Sequence, residues 1–421
     1  MIDETRGYKF GRGGCLLFLF LVFIYFSFFS SSLSFFAFGF SVPVYIAALA
    51  ILAVSFSVYC LKSYSFRSNL KANSLILLFF LILLIVMLGE TFLTKGRGDI
   101  KSLFQVVRGF GYVILLQIFI LDRGNVFSFI KVWVFAYITI LVISFANILF
   151  GFYLPGSRFD PSVYSGEKVL PTGVFYNPNE LAIFIIVSLP LVFSFFSHLR
   201  FFSKNGVLFS ISIASFLILF LTGSRLGLIS AGVVFISYFF LLWVRNSYYE
   251  YLAKVALMSF FLFLVFLFPF LLILLGSLGL EECAASLLGS RYNLIVAAFE
   301  VAKNSYFLGV GVGNAEHFVS NLPADIYDGP IINIHNMVME VFVELGVLGL
   351  LIYFFVYLIT LNRMIKPRRW SQGDKVFLDG AFLSLLGFLI MSPSGSSVVG
   401  MGITWLILAY GINLPGALRR S

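Results

Sequence analysis

Long runs of Leu, Ile, Val and Phe, separated by short polar or charged segments, recur along the whole chain. Runs able to cross a bilayer as helices cover Cys15–Ser32, Phe40–Leu61, Ser74–Leu93, Leu103–Leu121, Phe127–Leu149 and Leu181–Phe196. Six more cover Val207–Leu221, Leu226–Val244, Leu252–Leu280, Met337–Leu361, Val376–Met391 and Val398–Ile412. About 20 apolar residues span the hydrocarbon core of a membrane. The pattern therefore predicts an all-α integral membrane protein of about twelve transmembrane helices, a single polytopic domain over residues 1–421. The count turns on the Ser-rich stretch Ser30–Phe40 and the break at Thr222–Arg225, because a miscount at either would invert everything downstream. Two connections are long, 153–179 and 281–336, the second lying between spans nine and ten. This larger loop is expected to be partly helical, over Arg291–Ala302 with Val296 and Phe299 on its apolar side. A glycine-rich turn, Gly309–Gly313, follows, and reads either as a bent loop or as backbone approaching a ligand closely.

Composition agrees with this pattern. The chain is 60% hydrophobic and 11% charged, and its mean hydropathy is +1.03. A large soluble fold is excluded. With the N-terminus cytoplasmic, 19 of the 28 Lys and Arg fall on the inner side, as the positive-inside rule requires, with both termini inside. Both long loops, 153–179 and 281–336, are then extracytoplasmic. The net charge of +9 thus reports topology and implies no nucleic-acid partner. The first apolar run passes through Phe, Tyr and Ser without a small-residue cleavage site and reads as a retained signal-anchor. Cys15 and Cys60 fall in spans and Cys283 outside, which leaves no external disulfide pair. No Cys/His cluster has zinc spacing, and the missing Walker loop argues against ATP-driven transport; no cofactor is expected.

Gly-Ser-Arg occurs three times, ending at Arg158, Arg225 and Arg291, and the hydropathy pattern puts all three at the outer face. Arg225 and Arg291 open apparent helices with Ser at the N-cap, where a cation opposes the helix dipole by roughly 0.3–1 kcal/mol. A bound phosphate would reverse the sign, since helix N-termini attract anions and guanidinium matches phosphate oxygens. The alternative is coincidence in a Gly- and Ser-rich chain with interfacial arginines. His335, at the mouth of the tenth span on the same face, supplies an imidazole base, or else a passive cap or headgroup contact. Arg108, within the fourth span, should point inward, to pair with a carboxylate (Glu90, Asp99 or Asp160) or contact lipid phosphate, unless it snorkels to the surface. In Asn177-Pro178-Asn179, Asn179 is expected to cap the sixth span ahead of Glu180, and the amides could equally bind sugar hydroxyls. Glu344-Leu345-Gly346 reads as an inward packing and hydrogen-bonding element. Nine helical residues separate His335 from Glu344, which puts them on nearly opposite faces.

These segments resemble the O-antigen polymerase and ligase superfamily of membrane glycosyltransferases. The likeness rests on Thr172–Ala182, Leu221–Gly227, Arg291, Gly309–Asn314, His335-Asn336 and Glu344–Gly349, in that order, over roughly Thr172–Leu361. It implies a polyprenyl-diphosphate-linked oligosaccharide donor, arginines on the diphosphate, a loop histidine near the acceptor and no metal. Arg225 and Arg291 are then the donor-binding pair and His335 the base. Arg158, Asn177, Asn179 and Arg108 are further candidates for glycan or phosphate contact. With no evident nucleophile in the chain, direct displacement would invert the anomeric centre. A repeat-unit polymerase acting on a lipid-linked acceptor is favoured, with O-antigen ligase as the alternative within the family. A lipid-linked oligosaccharide flippase is the rival of another class. The resemblance leaves room for a chain-length regulator as a partner.

Overall fold

The structure, a computed structural model, describes residues 12–29, 34–37, 40–43, 73–93, 100–154, 157, 170–199, 204–244, 247–279, 290–324, 326–327, 329, 332–366, 370–394 and 401–419. Among these lie thirteen α-helices. They are α1 (Arg12–Ser27), α2 (Ser74–Leu93), α3 (Ile100–Phe119), α4 (Arg123–Phe150), α5 (Pro178–His198), α6 (Lys204–Leu221) and α7 (Arg225–Trp243), followed by α8 (Ser247–Ser277), α9 (Ser290–Asn304), α10 (Ala315–Ser320), α11 (Met337–Ile365), α12 (Gln372–Met391) and α13 (Gly402–Ala417). A short antiparallel hairpin, β1 (Ser34–Ala37) and β2 (Phe40–Pro43), pairs Ser34 with Pro43.

Eleven of the twelve apolar runs fall on helices, and Ser74–Leu93 does so residue for residue. Among the described residues five helices combine the length and apolarity needed to cross a membrane: Arg123–Phe150, Pro178–His198, Arg225–Trp243, Tyr248–Ser277 and Met337–Ile365. The expected second span is corrected at its start, where Phe40–Pro43 is a strand; residues 44–61 lie outside the described residues. Pro43 has no backbone N–H and sits at the strand end, where that loss is tolerated. Several helices begin earlier than their apolar run. Hydropathy marks the greasy part, while a polar first turn such as Pro178-Asn179-Glu180 is helical without being apolar.

Helix α5 is the axis of the bundle. Every residue from Leu181 to Phe196 is buried, with α12 as its main neighbour and α4 and α7 alongside. Helices α12 and α13 are also buried over most of their length. Lipid offers no hydrophobic drive for helix association, so close packing and inter-helix hydrogen bonds must hold the bundle. Both are present. A Cβ on Gly387 of α12 would lie 2.8 Å from Ile186 Cγ2 and 3.0 Å from Val234 Cγ2, so this glycine lets three helices meet. Trp133 Nε1 donates to Ser188 Oγ at 2.9 Å, Tyr137 and Ser215 share a hydrogen bond of 2.5 Å, and Tyr357 donates to the Leu385 carbonyl at 2.9 Å. The outer faces of α4, α7 and α8 carry exposed Phe135, Ile236 and Phe263, which suit a lipid environment.

The bundle has two distinct ends. At one, Arg123 at the start of α4 pairs with Asp374 at the start of α12 (3.3 Å). Beside them Lys254 of α8 bridges Glu250 (2.7 Å) and Asp379, and Lys375 reaches Glu250 (3.2 Å). His198, ending α5, faces the same corner, within 3.3 Å of a Cβ placed on Gly373. Helix α12 then runs about 25 Å from Asp374 to Met391 at 1.5 Å per residue. The opposite end gathers the starts of α5, α7 and α11 with the C-terminus of α12.

Candidate active site

The turn from α6 into α7 is built by three residues. Thr222 Oγ1 accepts from the Ser224 N–H (3.3 Å), Gly223 takes a left-handed φ of 71°, and the Ser224 side chain accepts from the Gly227 N–H (3.3 Å). Ser224 is thus the expected N-cap, and Arg225 is the first helical residue. A Cβ on Gly227 would stand 3.2 Å from Ala182 Cβ, so this turn lies against the first turns of α5. Arg225 is exposed and forms no ion pair with a described residue.

Arg291 is the second residue of α9, whose observed range, Ser290–Asn304, extends the expected helix at both ends, so Ser290 is the first helical residue and not the expected N-cap. Tyr292, Ile295, Ala298, Val301 and Ala302 are buried against α11, and Val296 and Phe299 flank them. That packing leaves Arg291 exposed, donating through Nη1 to the Pro393 carbonyl at 3.3 Å, just beyond α12. It too has no carboxylate partner among the described residues.

His335 precedes α11 and holds a left-handed φ of 46°, a conformation few non-glycine residues adopt. Its N–H donates to Asn333 Oδ1 (3.1 Å), whose amide nitrogen donates to Glu316 Oε1 (2.7 Å). Asn336 then caps α11 by accepting from the Met339 N–H at 3.1 Å. The imidazole, half-buried, is held at the helix start by a backbone constrained on both sides.

Asn177, not Asn179, is the N-cap of α5, which corrects the expectation. It accepts from the Glu180 N–H at 3.0 Å, and Glu180 reaches back to the Tyr176 N–H at 3.1 Å. Pro178 explains the shift: its fixed φ suits the first helical position, so the cap must precede it. Asn179 is half-buried in the first turn. Arg108 lies on α3 beside the start of α13, its guanidinium carbon 3.5 Å from a Cβ placed on Gly402. Arg158, Glu90, Asp99 and Asp160 lie outside the residues whose side chains are described. Arg225, Arg291, His335, Asn177, Asn179 and Arg108 therefore share one end of the bundle.

One feature of this end escaped the sequence, and a second was left open by it. Asn147, inside α4, accepts from the Thr172 and Gly173 N–H groups (3.2 and 2.8 Å) and so pins the strand of chain leading to α5. A lone amide in an apolar run was the available signal. The second is the glycine-rich turn. Gly309, Gly311 and Gly313 all have positive φ (107°, 86° and 78°), and Gly313 donates to Glu344 Oε1 at 2.9 Å. This makes the turn a rigid packing element, and Glu344 its buried hydrogen-bond acceptor. In the same region burial raises the phenol of Tyr327 above its usual value, as it does for Tyr153, which donates to the Leu170 carbonyl at 3.1 Å. Among the described residues no group of three or more His, Cys, Asp or Glu could hold a metal ion.

Comparison with known proteins points to the same segment. Residues 210–354 match the family described as O-antigen ligase, a stretch holding Arg225, Arg291, the glycine turn, His335 and Glu344. The chain is also 25% identical to the teichuronic acid biosynthesis protein TuaE of Bacillus subtilis (strain 168) over 338 residues, covering 76% of this chain and 67% of that relative. The matched stretch, which holds both arginines, the histidine and the glycine turn, is thus similar to the O-antigen ligase family, and most of the chain is similar to a polysaccharide-biosynthesis protein.

Proposed function

We propose that the protein is a polysaccharide repeat-unit polymerase, transferring a glycan from a polyprenyl-diphosphate donor to a sugar hydroxyl of a lipid-linked acceptor at the extracytoplasmic face. One observation carries this reading: two exposed arginines without carboxylate partners among the described residues stand at the same end of the bundle as a conformationally constrained histidine. Arg225 and Arg291 hold the donor diphosphate, with the N–H groups opening α7 as additional donors. The acceptor oxygen attacks the anomeric carbon while the bond to the diphosphate oxygen breaks. The proton passes to His335 and the negative charge stays on the departing diphosphate, next to the arginines. Charge stabilisation of this kind contributes roughly 2.7–4 kcal/mol per donor, and a positioned base about 10²–10⁴-fold. A single displacement inverts the anomeric centre. Arg108, Asn177, Asn179 and Arg158 are candidates for contacts to the glycan or to further phosphate oxygens.

The family match carries the ligase description, and the curated relative is named for teichuronic acid biosynthesis, so polysaccharide assembly is common to both. The polymerase is preferred because its acceptor is a second lipid-linked sugar and needs no large docking domain. Purified protein given a synthetic lipid-linked repeat unit should yield longer glycans without an added energy source, and EDTA should leave the yield unchanged. Translocation of the lipid without new glycosidic bonds would sink the enzyme reading in favour of a flippase. In cells lacking the protein, surface glycans reduced to single repeat units mark lost polymerisation. Long chains left on polyprenyl lipid would instead mark a ligase.

A further inference from the structure

We infer that Glu344 is a positioning residue, the buried acceptor in a clasp that fixes the Arg291 helix against the half-helix leading from His335. The inference rests on the proposed glycan transfer for its catalytic consequence, although the clasp itself is a matter of geometry.

Helix α11 is two helices joined at a break. Gly346 has φ 66° and ψ −171°, which no helical residue adopts, so the segment divides into a short piece after His335 and a longer one beyond Gly346. In an unbroken helix the Val343 carbonyl would accept from the Val347 N–H. Here it accepts from Val310 (2.9 Å) and the Glu344 carbonyl from Gly311 (3.0 Å), while the Val347 N–H turns to the Phe307 carbonyl (3.0 Å). The glycine turn thus supplies the partners that the break removes. Glu344 adds the side-chain link, 4% exposed and accepting from Gly313.

The approach requires glycine on both sides. A Cβ on Gly309 would stand 2.7 Å from the Glu344 carbonyl oxygen and 2.8 Å from the Gly346 nitrogen, and one on Gly346 would collide with the Leu308 and Phe307 carbonyls. The turn is in turn welded to α9. Phe307 donates to the Ala302 carbonyl at 2.8 Å, and Tyr306 and Phe307 both hold left-handed φ values, 53° and 60°. Phe299, Phe307 and Phe342 close the block, with ring centroids 5.9–6.4 Å apart. The helix carrying Arg291 and the half-helix entered from His335 therefore move as one body. A donor-binding group and a base on separate segments need such a constraint, because a misplacement of about 1 Å can cost roughly 10²-fold in rate.

The test replaces Cys15, Cys60 and Cys283 by Ser and places spin labels at Asn293→Cys on α9 and Ile332→Cys before His335, both exposed positions. Distance distributions are then measured in the otherwise native protein, Glu344→Gln and Glu344→Leu. Gln keeps an acceptor for the Gly313 N–H, so it should retain the narrow distribution and near-native kcat. Leu should broaden the distribution and lower kcat by about 10²-fold with KM little changed. Gly346→Ala strikes the same clasp from the helix side and should broaden the distribution even where Glu344→Leu does not accumulate. Narrow distributions in both disruptive variants would overturn the clasp. Glu344→Gln losing activity while its distances stay narrow would instead give the carboxylate a chemical role and overturn the positioning one. The distances are read without substrate, so they stand even if the purified protein fails to extend the chosen donor.

Discussion

The two ends of the bundle treat positive charge in opposite ways. At the Asp374 end, Arg123, Lys254 and Lys375 are each tied to a carboxylate, and the Lys254 and Asp379 side chains are only 5% and 9% exposed. At the His335 end, Arg225 and Arg291 have no acidic partner among the described residues and stand exposed on helix starts where a cation is disfavoured. The first arrangement satisfies its charges internally and joins α4, α8 and α12. The second leaves guanidinium groups and helix N–H donors to be satisfied by something else, and a diphosphate has the matching charge and geometry. Cations alone do not mark a site in such a chain.

Substitutions at the two ends should therefore fail in different ways. The largest effect is expected for His335→Ala, with product formation falling about 10²–10⁴-fold while membrane abundance stays near normal; quantifying glycan product per mole of purified protein checks both. Next is Asp379→Asn at the other end. It removes one of the two carboxylates that answer Lys254 in a buried network, while Glu250 stays, for a loss of about 1.5–3 kcal/mol. The thermal midpoint in detergent should drop sharply while activity per folded molecule is kept. A loss of activity without a loss of stability would blur the distinction between the ends. Gly387→Leu, which forces a side chain between α5, α7 and α12, should cost about 1–3 kcal/mol through overpacking and show in the same melting assay. Smallest is Asn177→Ala, which removes the α5 cap for about 1 kcal/mol. If it depresses transfer far more than stability, Asn177 also contacts the glycan.

Most helices were legible as apolar runs because lipid imposes the same requirement on every span, as the match of α2 with Ser74–Leu93 illustrates. Their ends were less so, since polar caps such as Asn177 and Ser371 are invisible to hydropathy. Pro178 held the information needed to place the first of these. Arg225, Arg291 and His335 could be read as candidates because Gly-Ser-Arg repeats locally and a histidine is rare in this chain. The clasp could not. Its hydrogen bonds join residues more than thirty positions apart, and a Gly inside an apolar run gives no sign of whether it serves packing or a helix break. The ion network of Lys254, Asp379 and Glu250 was hidden for the same reason: its members look like isolated charges near the ends of apolar runs until α8 and α12 are packed together.

On the proposed function, donor diphosphate is held at one end of the bundle and not the other. The direct measurement is the affinity of a radiolabelled polyprenyl diphosphate for the native protein, Arg225→Ala, Arg291→Ala and, as the control from the opposite end, Arg123→Ala. Loss of a charge-assisted hydrogen-bonding group predicts binding roughly 10- to 100-fold weaker in the first two variants and little changed in the third. Unchanged binding in Arg225→Ala and Arg291→Ala, or an equal loss in Arg123→Ala, would contradict it.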